Sequence, residues 1–292
     1  MITQQYPILT IMVALNCEAK PWVDFYGLKK SIDRPFGVYT KPGLDVEIVI
    51  TGIGAPCMAT AVGWVAGRSG SVKRVWLNLG IAGHLDKPVG EAIRVYSYID
   101  GIDLRQHYSP LVAKWAGDSD ALMSVNAPTS NYPDAAMVDM EGLSFYRSAS
   151  MFSSPELVES IKVISDNQEN NVEGLNASKI TQLMESQLAM VNRFSDNLLA
   201  LVQLSASAVI DMPLASLRRT HSQQQQLNRL LERAIALELE QAVTELELHK
   251  ESKFDAVLTK FSAFIDAAAP SIGRLPKDDS ISSTALRGKS HG

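Results

Sequence analysis

Six short apolar runs, rich in β-branched residues, punctuate the first 165 positions. They are TIMVAL (10–15), VEIVIT (46–51), RVWLNL (74–79), AIRVYSYI (92–99), AMVDM (136–140) and IKVIS (161–165). Bounded by glycine and polar turn residues, each predicts a strand. Between them lie small-residue segments such as APCMATAVGWVAG (55–67), which predict helices. EGLSFYRSASMF (141–152) predicts another, opened by an acid in the first turn where the helix dipole favours negative charge. Strands alternating with helices predict an α/β fold, with a mixed, mostly parallel central sheet flanked by helices.

From about residue 175 the period changes. NASKITQLMESQLAMVNRFSDNLLALVQL carries apolar residues at helical spacing with almost no β signal. A second run over 213–250 starts at Pro213, a residue suited to the first turn of a helix, and continues without a breaker. A third, KFDAVLTKFSAFIDAAA, ends at Pro270. The pattern therefore divides the chain into an α/β domain over 1–209, an all-helical C-terminal extension over 210–270 and a flexible polar tail over 271–292. Leu214, Leu217, Leu227, Leu230, Leu231, Ile235 and Leu237 give the extension an apolar packing stripe.

Composition narrows the class. At 292 residues, 46% hydrophobic and 20% charged, the chain has room for a sizeable core. A net charge of −5 offers no general attraction to nucleic acid or an anionic membrane. A nucleic-acid face on the extension, where Arg218, Arg219 and Arg229 flank a glutamine run, is the weaker alternative to a solvated helix side. No apolar run reaches the roughly 18–20 residues that cross a bilayer. The N-terminus lacks the basic segment of a signal peptide, so a cytoplasmic location is expected. Two distant cysteines, Cys17 and Cys57, fit a reducing compartment, and the five scattered histidines have no metal-ligand spacing. Neither a metal nor a cofactor is expected.

One hexapeptide stands apart. MVDMEG (137–142) carries two acids inside an apolar run, read either as the polar face of an edge strand or as a working carboxylate. On the strand map, other acids and glycines fall at comparable places. Glu18 follows the first strand, and Gly52 and Gly54 the second. Asn78, Gly80 and Gly83 end the third, Glu141 follows AMVDM, and Ser165 with Asp166 ends IKVISD. Open parallel sheets bind ligands at the carboxyl ends of their strands. TGIG and NLGIAG are neither Walker A loops nor dinucleotide fingerprints. They read as tight turns, or as places where backbone N–H groups approach a ligand that only glycine admits.

Three carboxylates without a metal or an evident nucleophile suit cleavage of a bond to an anomeric carbon. One acid serves the leaving group and one base serves water. A third carboxylate can hold sugar hydroxyls as positive charge develops. No GxSxG elbow supports acyl transfer.

The ordered motifs ALNCEA, TGIG, NLGIAGHL with VGEAIRV, VDMEG and VISD resemble the nucleoside phosphorylase superfamily, and most of all its methylthioadenosine/S-adenosylhomocysteine nucleosidases. The resemblance spans about residues 8–205. It implies a role for each matching position. Asp166 is the acid that protonates or hydrogen-bonds N7 of the purine, and Ser165 orients it. Glu141 binds ribose hydroxyls, and Met140 packs on the sugar face. Glu18 activates the attacking water, while Gly54 and Gly80 line the substrate. Leu79 and Ile81 depart from the family, which usually carries hydroxyl residues there.

The resemblance also implies a homodimer acting on a small-molecule purine nucleoside. Phosphorylases of the superfamily hold phosphate with arginines, and neither the segment around Glu18 nor VWLNLG carries one. Hydrolysis is therefore the expectation. Its alternatives are a phosphate-dependent phosphorylase or a diverged nucleoside-binding scaffold with a partner-binding helical extension.

Overall fold

The computed structural model describes residues 8–69, 74–133, 136–170, 174–206 and 217–268. Within the last range, 238, 240–241, 244–245, 247, 249–250 and 252 are excepted. The polar tail over 271–292, Pro213 and Leu214 lie outside the described residues, as does the side chain of Ile235. The chain forms two compact units, 1–207 and 208–292.

The first unit is built on ten strands: β1 (Ile8–Val13), β2 (Lys29–Ile32), β3 (Gly37–Thr40), β4 (Val46–Ile50), β5 (Arg74–Gly83), β6 (Ala92–Asp100), β7 (Gln106–Tyr108), β8 (Ser119–Ser124), β9 (Met137–Asp139) and β10 (Val158–Asp166). Its helices are α1 (Asn16–Tyr26), α2 (Ala55–Ser69), α3 (Gly142–Ala149), α4 (Ala177–Ser186) and α5 (Leu188–Ala206). All six runs predicted as strands are strands. The centre of the sheet, β4–β1–β5–β10, is parallel. The hairpin β2–β3 extends it antiparallel at β4, and β6 joins β10 antiparallel.

β5 has three neighbours. Pairing with β10 over 76–83 occupies one edge, so β1 (at 74–78) and β9 (at Gly83) share the other. β5, β10, β6, β8 and β9 consequently close on themselves, while β1 and β4 continue the open part of the sheet. Alternation along the strands sends side chains to two cores. Leu9, Ile11, Val13, Val75, Leu77 and Leu79 pack with Trp22 of α1 and with α4 and α5. Met12, Val49 and Trp76 pack with Met58, Val62 and Val65 of α2 and Phe145 of α3.

All nine residues of β10 are buried, although its sequence is VESIKVISD. Pairing offsets part of the penalty for burying its charges. Arg94 Nε donates to Glu159 Oε2 at 3.0 Å, and Lys162 Nζ lies 2.8 Å from Asp139 Oδ2. Near the start of β5, Arg74 and Arg68 both engage Glu47 of β4.

Two elements differ from expectation. NCEAKPWVDFY forms α1, so Glu18 belongs to the first turn of a helix rather than to a loop. Its carboxylate accepts the backbone N–H of Leu15 and satisfies a donor that the helix start leaves open. The helical run after 175 breaks at Gln187, whose N–H turns back to Met184 O at 3.2 Å and separates α4 from α5.

In the second unit the long run predicted over 213–250 yields α6 (His221–Ala236), and the third run yields α7 (Phe254–Ala268). Leu227, Leu230 and Ala234 pack with Phe254, Val257, Phe261 and Ile265 in a core of their own. Arg219 lies over the Phe254 ring, 5.5 Å from its centroid, so this arginine is part of the packing.

Candidate functional site

The residues singled out in sequence gather around the C-terminal half of β5. That half runs to Gly83, so Gly80 lies inside the strand rather than in a turn after it, opposite Lys162 of β10. Its missing side chain makes room: a Cβ at Gly80 would sit 3.0 Å from Glu18 Oε1 and 3.4 Å from Lys162 Nζ. Glu18 reaches over from α1, and its Oε1 accepts the N–H of Ile81 at 3.0 Å. With both oxygens bonded to backbone amides, the carboxylate is fixed in place.

Glu141 arrives by a different route. It follows β9, which runs antiparallel to β5, so it does not sit at a common carboxyl edge of parallel strands as expected. The crossing chain instead carries it to α2. Gly54, the residue before α2, donates its N–H to Glu141 Oε1 at 2.5 Å. Gly54 has φ +95°, a conformation that side chains disfavour and glycine accepts.

Asp139 resolves the other half of the MVDMEG question. It is buried, and it accepts from Ser124 Oγ at 2.6 Å, Gly142 N at 2.8 Å and Lys162 Nζ at 2.8 Å. This acid anchors the start of α3 and fixes a cation.

That cation is one of two residues at the site that the sequence did not single out. Lys162 is 2% exposed and feels Asp139, Glu141 and Glu18 together. Burial pushes its ammonium down, but the three carboxylates outweigh burial and hold it above the ordinary lysine value. The only signal in the sequence was a lone lysine inside IKVIS. Burial, opposed by Lys162 and two backbone donors, pushes Glu18 up to about 7. Glu141 is also raised, first by burial and then by the neighbouring charge of Asp139.

Asp166 sits across β5. It pairs with Gly83, whose other edge meets Val138 of β9, so the tip of β5 separates Asp166 from the Met140–Glu141 turn. Ser165 Oγ donates to Asp166 Oδ1, and the Tyr132 hydroxyl donates to Oδ2. Tyr132 lies in the irregular segment between β8 and β9 and was not foreseen. His84, one of the five scattered histidines, is a buried clamp beside this acid. Its Nδ1 accepts from the N–H groups of Asp86 and Lys87, its Nε2 faces Asp120 Oδ2 at 3.2 Å, and its backbone N–H donates to the backbone carbonyl of Asp166 at 3.1 Å.

Met140 is half-buried and lines a cleft of about 660 Å³ with Ala55, Ser124, Val125, Asn126 and Leu143. Glu18, Glu141 and Asp166 do not line it, being 3%, 8% and 5% exposed. Among the described residues no group of three His, Cys, Asp or Glu is placed to hold a metal ion. None of the described helices is long and apolar enough to cross a membrane.

The arrangement offers a carboxylate poised near neutrality, a second held by a backbone amide, a cation that offsets their charge, and a third carboxyl gripped by two hydroxyls. Such a set can accept a proton from water, bind hydroxyl groups and deliver a proton to a leaving group.

The sequence matches no protein-family model and no curated protein. Solved structures do match. The 5′-methylthioadenosine/S-adenosylhomocysteine nucleosidase (MTAN) of Helicobacter pylori is 14% identical with a TM-score of 0.53, the match covering 66% of this chain and 99% of that one. MTAN of Chlamydia trachomatis is 20% identical, TM-score 0.52, over 65% and 99%. Futalosine hydrolase of Helicobacter pylori is 12% identical, TM-score 0.51, again over 65% and 99%. The chain has the fold of these proteins, and about a third of its length extends beyond the match.

Proposed function

We propose that this protein hydrolyses the N-glycosidic bond of a purine nucleoside of the methylthioadenosine or adenosylhomocysteine type and releases the free base. The observation that carries the proposal is the buried cluster of Glu18, Glu141 and Lys162 around Gly80, with Asp166 across the tip of β5. It stands on a fold shared with nucleosidases.

In this reading Glu18 is the base. A carboxylate lifted to about 7 takes a proton from water near neutral pH far better than an ordinary one. Water attacks the anomeric carbon and its proton passes to Glu18. The C1′–N9 bond breaks, its electron pair stays with the base, and Asp166 supplies the proton that the departing purine takes up. Glu141, fixed by the Gly54 amide, holds ribose hydroxyls, and those bonds strengthen as the sugar gains oxocarbenium character. Met140, which lines the neighbouring cleft, offers an apolar floor for the sugar.

Phosphorolysis is the competing reading. A phosphate dianion needs charge-assisted donors that are free to meet it. Lys162, the cation inside the cluster, is already shared among three carboxylates. That balance favours water. Homodimerisation belongs to the same proposal. Ile102, Leu104, Tyr108, Leu111 and Val112 leave large apolar surfaces exposed in the described chain, and light scattering reads the assembly directly.

The test is incubation of the purified protein with methylthioadenosine, adenosylhomocysteine, deoxyadenosine and inosine, with and without phosphate, followed by assay of the free base. Base released equally with or without phosphate supports hydrolysis. Release that depends on phosphate overturns it. Tight nucleoside binding with no release from any of the four would favour a binding protein.

A further inference from the structure

Asp166 is held from two sides. Ser165, its neighbour in β10, donates to Oδ1, while Tyr132, 34 positions earlier in the chain, donates to Oδ2. The Tyr132 ring lies against the backbone of Gly83: a Cβ there would fall 2.5 Å from Tyr132 Cε1 and 2.6 Å from Asp166 Oδ2. Glycine at 83 is therefore what lets the phenol and the carboxyl meet. The tyrosine is 8% exposed, so its hydroxyl is directed at the acid rather than at solvent.

We propose that Tyr132 is a positioning residue for the leaving-group acid, fixing the plane of the Asp166 carboxyl so that the O–H it transfers faces the departing base. The inference rests on the hydrolytic reading above. A carboxyl bonded at one oxygen can still swing about its Cβ–Cγ bond. One bonded at both oxygens, from residues on different segments, cannot turn without breaking a hydrogen bond. Ser165 and Tyr132 each occupy one lone pair, which leaves a position on either oxygen to carry the proton that is handed to the ring nitrogen. Burial and then the bond to Asp166 raise the phenol above its ordinary value, so Tyr132 keeps its proton and acts as a fixed donor throughout. When C1′–N9 breaks, the electron pair goes to the base, the proton goes from Asp166 to a ring nitrogen, and Tyr132 exchanges nothing.

Leaving-group dependence separates this role from plain structural support. A purine leaves as a poor anion and needs the acid, whereas 4-nitrophenolate leaves without protonation. Wild type, Tyr132→Phe and Asp166→Asn should be compared on the nucleoside that wild type cleaves fastest and on 4-nitrophenyl β-ribofuranoside. Tyr132→Phe is expected to lower kcat on the nucleoside by about tenfold or more, a fraction of the typical general-acid contribution. KM should stay within about threefold and 4-nitrophenyl riboside cleavage within about twofold of wild type, with Asp166→Asn showing the same split more strongly. Should Tyr132→Phe fail to fold, Gly83→Ala separates the same two groups sterically and is read on the same two substrates.

Equal loss on both substrates, or no loss on the nucleoside, overturns the role of Tyr132 while leaving hydrolysis standing. A wild-type protein that cleaves neither substrate overturns both.

Discussion

The backbone amide of Gly54 meets the carboxylate of Glu141 at 2.5 Å, joining positions 87 residues apart. That one bond ties the loop before α2 to the turn before α3. It fixes one oxygen of a carboxylate that is 8% exposed. Glu141→Gln keeps the size and one acceptor but removes the charge. Base release is expected to fall by about a hundredfold, with the melting temperature changed little. Near-normal turnover would remove Glu141 from the mechanism.

Gly54→Ala tests the same bond from the other side. At φ +95° an alanine is strained by about 1–2 kcal/mol. Relaxing that strain turns the amide away from Glu141. Calorimetry should show the loss of stability, and kinetics a loss of activity larger than the stability change explains.

Gly80→Ala separates geometry from stability at Glu18. The new Cβ meets Glu18 Oε1 at 3.0 Å, and that carboxylate is held by two backbone donors. The expected outcome is an unchanged fold by circular dichroism and a kcat reduced by about tenfold or more, since a misplacement of a few tenths of an ångström to 1 Å is costly in a preorganised site.

Lys162 answers to a stability measurement. Replacing it by Met leaves Asp139, Glu141 and Glu18 buried without their cation. Breaking a buried pair costs about 3–5 kcal/mol, so denaturant unfolding should show a large loss. Adding Asp139→Asn should recover part of it. Full stability in Lys162→Met alone would contradict the ion-pair arrangement.

Glu18 fixes the pH dependence. As a base raised to about 7, it loses activity as pH falls below that value, with a limiting slope of one in log kcat/KM. Stability moves the opposite way. The folded state binds this proton more tightly than the unfolded chain, whose value is near 4.5. The group's stabilising proton is therefore present below about 4.5 and lost by about pH 7. Glu18→Gln removes that dependence. Its stability relative to wild type should rise across this window by up to about 3 kcal/mol, less whatever the lost backbone bonds cost.

Much of this was legible in the sequence, and the omissions have physical causes. β-Branched runs announced β1, β4, β5, β6, β9 and β10. The edge hairpin β2–β3 carries exposed Lys29 and Lys30, so no alternation marked it. α1 was hidden by a central proline and mixed polarity. Glycines 80 and 83 were read as turn punctuation, yet β5 passes through both because glutamate, lysine, tyrosine and aspartate crowd against the strand there. Glu18, Glu141 and Asp166 were visible because each stands at a boundary where burial alone explains nothing. Lys162 and Tyr132 were not, since their meaning lies in Asp139, 23 positions before the lysine, and in Asp166, 34 positions after the tyrosine. Neither distance has a local signature.

In the proposed reaction water attacks the anomeric carbon. Reaction of the preferred nucleoside in H₂¹⁸O without phosphate, stopped early by borohydride reduction before the C1 oxygen exchanges through the open-chain aldehyde, with mass analysis of the sugar product and a free-sugar control, reads this directly. Hydrolysis gives free base together with a sugar carrying one ¹⁸O at C1, and both products are lost in Glu18→Gln. A sugar 1-phosphate formed only when phosphate is added, or no base from any nucleoside, would contradict it.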